Sequence, residues 1–161
     1  MFLKTIMFRL NFHTSHHQFY IYDKDSAGDT GSDNFWTNVA SNDRLAVEDG
    51  ILGIGTECYG PVKAELHLLN HAPTNVILED YDHIVEAGIE IKSGTIQVFD
   101  CPFSSIELEI EVIPGTYNVR IYSQNLASVD GDEGDDCYKI EIWPGNEMER
   151  VVIKRYSRTL S

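Results

Sequence analysis

The sequence predicts an all-β fold, an antiparallel β-sandwich with at most one short helix. Apolar and polar residues alternate with period two in at least eight short runs, the pattern of strands buried on one face. Clusters of Gly, Pro, Asn, Asp and Ser separate those runs, so the chain reverses often. With 161 residues, 42% of them hydrophobic, the chain can close a core, and residues 1–161 are expected to form one domain without repeat or linker.

Taken from the N-terminus, Ile6, Phe8, Leu10 and Phe12 are expected to face inward, with Met7, Arg9, Asn11 and His13 outward. Phe19 and Ile21 begin a second strand, with Tyr20 and Tyr22 on its opposite face. Residues 23–34, dense in Gly, Ser and Asp, are a loop, and 35–45 are the one segment expected to be helical. Strands resume from Val47, over 50–57, and again where Val62, Ala64, Leu66 and Leu68 alternate with Lys63, Glu65 and His67. Residues 83–92 and 95–100 are expected to pair as a hairpin turned at Ser93-Gly94. The run IELEIEVI, residues 106–113, is expected to pair with 116–123 through Pro114-Gly115, since Pro presets φ for a tight turn. An acidic loop over 129–136 leads into a strand at 138–143, and a second Pro-Gly pair at 144–145 leads into a closing strand over 149–156. Trp143 falls opposite Tyr138, Ile140 and Ile142; an outward aromatic of this kind is either strand filler or an interface anchor.

Charge narrows the function. Twenty-six Asp and Glu against twelve Lys and Arg leave a formal net charge of −14. Nucleic-acid affinity rests on Lys and Arg displacing counterions from phosphates, so direct nucleic-acid binding is not expected. The nearest approach to a basic stripe is Arg150, Lys154, Arg155 and Arg158, read as a solvated edge or a counterweight to acidic neighbours. The apolar opening is broken by Lys4 and Arg9 and lacks a small-residue cleavage site, so it is not read as a signal peptide. No run approaches the eighteen apolar residues of a membrane span, and no membrane insertion is expected. Cys58, Cys101 and Cys137 form an odd set without CxxC spacing, read as free thiols in a reducing compartment, which places the protein in the cytoplasm.

Motifs for catalysis are missing. There is no GxSxG elbow, no phosphate-cradling glycine pattern, and no cysteine with basic neighbours to lower its pKa; Cys58 stands beside Glu57. No catalytic residue and no cofactor is assigned, and the protein is expected not to be an enzyme. His13, His16, His17, His67 and His71 lack the companions of a zinc site. The densest feature is the loop, where Asp130, Asp132, Glu133, Asp135 and Asp136 place five carboxylates in seven positions. Gly134 occupies the third acid position of a calcium loop and no closing Glu follows, so no metal ligand is assigned. The other reading of the loop is an acidic patch for a basic partner, which speeds encounter and sharpens specificity.

The segment Ser15-His16-His17-Gln18-Phe19-Tyr20-Ile21-Tyr22-Asp23-Lys24-Asp25-Ser26 resembles the opening of the competence protein J family, inhibitors of a bacterial DNA-entry nuclease. Phe35-Trp36-Thr37 and the run from Ala46 to Glu57, with Asp49-Gly50 opening an apolar strand, continue that resemblance across roughly residues 15–67. Ile113-Pro114-Gly115-Thr116-Tyr117 and the run from Cys137 to Pro144 look like the family's closing hairpins. The chain departs from that pattern in a longer acidic loop around Asp132 and in a basic strand past Trp143. The resemblance implies an acidic protein that binds a nuclease and blocks its basic DNA-binding surface, in effect a DNA mimic. The partner-binding residues expected are Asp130, Asp132, Glu133, Asp135 and Asp136, with Asp23, Asp25 and Asp29. The alternative is a calcium- or carbohydrate-binding β-sandwich module resting on the same loop and the outward aromatics.

Overall fold

The computed structural model describes residues 5–102 and 105–157. In chain order the elements are β1 (Ile6–His13), β2 (Gln18–Asp23), α1 (Asn38–Asp43), β3 (Leu45–Glu48), β4 (Ile51–Gly55), β5 (Pro61–Leu68), β6 (His83–Ile91), β7 (Thr95–Asp100), β8 (Ile106–Glu111), β9 (Gly115–Gln124), β10 (Cys137–Pro144) and β11 (Val151–Lys154). They build two facing sheets, one ordered β1-β5-β10-β9-β6-β11 and the other β3-β4-β2-β7-β8. The all-β sandwich with one short helix is therefore what forms. Its neighbours are antiparallel except β10 and β5, which run parallel from Tyr138 opposite Ala64 to Ile142 opposite Leu68.

The two expected hairpins do not form. β6 belongs to the six-stranded sheet and β7 to the five-stranded one; β8 and β9 are divided in the same way. Ser93-Gly94 and Pro114-Gly115 reverse the chain but carry it across the sandwich. At the first crossing the cause is visible: the Asp23 carboxylate at the end of β2 accepts the amides of Lys92 and Ser93 at 3.0 and 3.1 Å and the Ser93 hydroxyl, which draws the turn to the opposite sheet.

Between the sheets lie Phe12, Phe19, Ile21, Leu52, Val62, Leu66, Val85, Val98, Val119, Ile121, Ile140 and Ile142. Each such side chain contributes roughly 1.5–3 kcal/mol on burial. Inward placement holds for Leu10 and Phe12, but Ile6, at the outer end of edge strand β1, is 50% exposed. A second cluster of Tyr20, Phe35, Ala40, Ala46, Ile51 and Cys101 covers the outer face of the five-stranded sheet. Tyr20 is thus buried filler, and Trp143 is buried too, beneath the Arg120 guanidinium at 5.1 Å.

The helix is shorter than 35–45. Thr37 caps it, its hydroxyl accepting the Ala40 amide at 3.0 Å, and Arg44 ends it in the left-handed conformation at φ 63°. Phe35 and Trp36 precede it and press against Gly53, where an added Cβ would stand 2.8 Å from Trp36. Asp43 is buried and held by Arg150 at 2.8 Å and Arg155 at 2.6 Å. Lys154 donates to the Leu78 carbonyl at 3.0 Å. The basic stripe is thus a counterweight and a clamp; Arg158 lies outside the described residues.

Candidate partner-binding surface

Strand polarity decides which loops share an end of the sandwich. The turn from β1 to β2, the segment from β4 to β5, and the loop from β9 to β10 meet at one end. Backbone bonds tie them together: Thr14 donates to the Gly60 carbonyl, Thr56 to that of His17, and Tyr59 to that of Gly131. The acidic loop belongs to this end.

Its frame is a buried hydrogen-bonded core. Asp136 is 4% exposed; its Oδ2 accepts the Tyr138 hydroxyl at 2.6 Å and the Cys58 amide at 3.2 Å. The same phenol oxygen accepts the Glu57 amide at 2.7 Å. Burial, and then the Asp136 carboxylate, push the Tyr138 hydroxyl far above its ordinary pKa, so it remains a donor. Burial and Asp136 likewise push the Cys137 thiol up, keeping it from thiolate chemistry. Farther out, the Ser128 hydroxyl accepts the Asp135 amide at 2.8 Å, Asn125 donates to the Asp135 carbonyl at 3.2 Å, and Asp130 and Glu133 exchange backbone bonds. Asp130, Asp132, Glu133 and Asp135 stand exposed on this frame.

The eight carboxylates expected to bind a partner do not form one patch. Asp136 is the internal anchor of the loop, not part of its outer surface. Asp23 is 3% exposed and consumed by the turn at 92–93. Asp25 is exposed but follows the far end of β2, at the opposite pole of the sandwich. Asp29 is exposed near Tyr22, whose hydroxyl is pushed up first by burial and then by that charge, in the segment that crosses the outer face of the five-stranded sheet.

Other acids take their place. Gln124 donates to the Asp80 carbonyl at 2.8 Å, and Asp82 accepts the Leu126 amide at 2.9 Å, which brings residues 79–82 alongside the root of the acidic loop. Glu79 and Asp80 are exposed there. Nothing in their spacing pointed to this end, because a long connection from β5 carries them past the sheet. Of the cations at this end, Arg44 is paired with Glu57 at 2.5 Å, whereas Lys63 stands exposed near the start of β5. Among the described residues, no three His, Cys, Asp or Glu side chains converge as a metal site. His67 contacts Glu65 at 3.1 Å, and His16 and His17 pack on Tyr59. The arrangement offers a hydrogen-bonded scaffold for surface carboxylates.

No family model matches the chain, and no curated protein matches it in sequence. Two solved structures share its fold. ComJ from Bacillus subtilis, described as an inhibitor of the DNA-degrading activity of NucA, superposes with a TM-score of 0.68 at 17% identity, covering 89% of this chain and 100% of that one. The product of crocagin biosynthetic gene J superposes with a TM-score of 0.58 at 16% identity, again over 89% of this chain and 100% of the other.

Proposed function

We propose that this protein is not an enzyme but a cytoplasmic inhibitor of a nuclease, and that it sets its acidic end against the basic surface on which the enzyme holds DNA. The observation that carries the reading is the end itself: six exposed carboxylates, Glu79, Asp80, Asp130, Asp132, Glu133 and Asp135, around a loop root made rigid by Asp136 and Tyr138. A net charge of −14 and a fold shared with a nuclease inhibitor support it. A groove built to attract phosphates attracts an ordered array of carboxylates for the same Coulombic reason, and the attraction acts mostly on encounter rate and specificity.

NucA serves as the probe. The unsubstituted chain is expected to inhibit its cleavage of DNA. A variant carrying Asp130→Asn, Asp132→Asn, Glu133→Gln and Asp135→Asn is expected to associate about tenfold or more slowly at low salt, with a flatter salt dependence. Asp136 is kept in the variant because it holds the loop. Absence of inhibition by the unsubstituted chain, or equal rates and salt slopes for the two proteins, would overturn the reading.

A further inference from the structure

At the acidic end, the connection from β1 to β2 turns on His16 and His17, closed by a bridge between Ser15 and Gln18. Both histidines have φ 59°, in the left-handed region. Asn-Gly is the pair most favoured in such a turn, ahead of two successive histidines. Their rings take no part in the core. They are exposed and pack in T-shaped fashion with the ring of Tyr59, itself 42% exposed, with centroids 6.0 and 5.1 Å away.

The group is held rigidly. His17 donates Nδ1–H to the Glu57 carbonyl at 3.1 Å, its own carbonyl accepts the Thr56 amide at 2.8 Å, and the Tyr59 amide binds Gly131 of the acidic loop. A cavity of about 470 Å³ opens beside it, lined by His16, His17, Gln18, Trp36, Arg44 and Glu57. Three outward rings with little freedom, ringed by charge and next to a recess, have the makeup of an interface hot spot: an aromatic centre inside a polar rim.

We propose that His16, His17 and Tyr59 form the anchor that retains a protein partner after the carboxylates have drawn it in. The partner is one whose cationic groove presents an arginine or lysine to the face of Tyr59 and the mouth of the recess. A nucleic acid is excluded as occupant by the neighbouring carboxylates, and a second copy would set acidic loop against acidic loop. The proposal rests on the reading of the protein as a nuclease inhibitor, and it adds a division of labour: acids govern association, rings govern dissociation.

Two variants test it on NucA. Tyr59→Ala removes the central ring. His16→Asn with His17→Gly removes both imidazoles while supplying residues that favour the turn, so this variant keeps the fold. Each is expected to raise the dissociation rate at least about tenfold, with association within about twofold and an unchanged salt slope. Dissociation within about twofold of the unsubstituted chain in the Asn-Gly variant overturns the anchor and leaves the inhibitor reading standing. A fall in association rate with a flattened salt slope in these variants also overturns it. No binding of NucA by the unsubstituted chain overturns both.

Discussion

Tyr138→Phe isolates the joint that carries the acidic loop. The ring is 3% exposed, and Phe fills the same space, so no cavity arises. What is lost is the phenol oxygen, which donates to Asp136 at 2.6 Å and accepts the Glu57 amide at 2.7 Å. A hydrogen bond to a buried charge contributes about 1.5–3 kcal/mol, and an amide left without its partner costs about 1–3 kcal/mol. Asp136 keeps the Cys58 amide at 3.2 Å, and half-buried Glu57 admits water, so the lower halves of both ranges apply. The sum is about 3 kcal/mol. With a urea m value of about 2 kcal/mol/M, the midpoint falls by about 1.5 M at unchanged m. Hydrogen exchange gives the second readout: the amides of Tyr59 and Asp135, bonded to Gly131 and Ser128, should lose protection ahead of the sheet. A midpoint loss under about 0.3 M, or a loss with those two amides still protected, refutes the role given to this hydroxyl.

Two further perturbations probe other parts of the fold. His83 is buried, its Nε2–H donating to the Asp43 carbonyl at 2.8 Å and its Nδ1 accepting the Tyr156 amide at 3.0 Å. Burial, with Arg44 and Arg155 behind it, outweighs the bond to Asp43 and holds its pKa below the ordinary 6.5. The unfolded chain therefore takes up the proton first, and this contribution to stability is full above about pH 6.5 and declines as pH falls below it. Urea unfolding from pH 8 to 5 should show that decline, and His83→Gln should flatten it. Gly53→Ala would drive a methyl to 2.8 Å from Trp36 and 2.9 Å from Phe35. An overpacking cost of about 1–3 kcal/mol is expected, with a shift in tryptophan fluorescence as the segment before α1 lifts from the sheet.

The strands legible in the sequence were those with one face buried and one wet. In β5 and the inner half of β1, alternation and burial coincide. Strand β2 is covered on both sides, so Tyr20 looked like an outward aromatic although it packs under Phe35. Turn chemistry located the reversals at Ser93-Gly94 and Pro114-Gly115, but a turn does not say which sheet receives the returning strand. That is decided by groups far away in the chain, such as Asp23, which binds amides 69 and 70 residues later. The same distance effect hid the fate of Asp136, whose partner amide at Cys58 is 78 residues earlier. Net charge was legible in aggregate. Its distribution was not, because strand polarity sends Asp25 to one pole and Asp132 to the other, while a long connection brings Asp80 in.

The parallel pairing of β10 with β5 has a bearing on how the molecule comes into being. In the order β1-β5-β10-β9-β6-β11, residues 137–144 are the seam between an early ribbon and a later one. Without β10, the edges of β5 and β9 that it joins would carry unpaired amides and carbonyls. The two ribbons become one sheet only with the penultimate strand between them. The acidic loop runs directly into that strand and is bonded through Asp136 to Tyr138 and Cys58, so the placement of β10 also sets the placement of the loop. A chain ending before residue 137 would leave both edges unpaired and would lack the Tyr138 hydroxyl that holds Asp136, so the closed sheet and the ordered acidic end depend on the same strand.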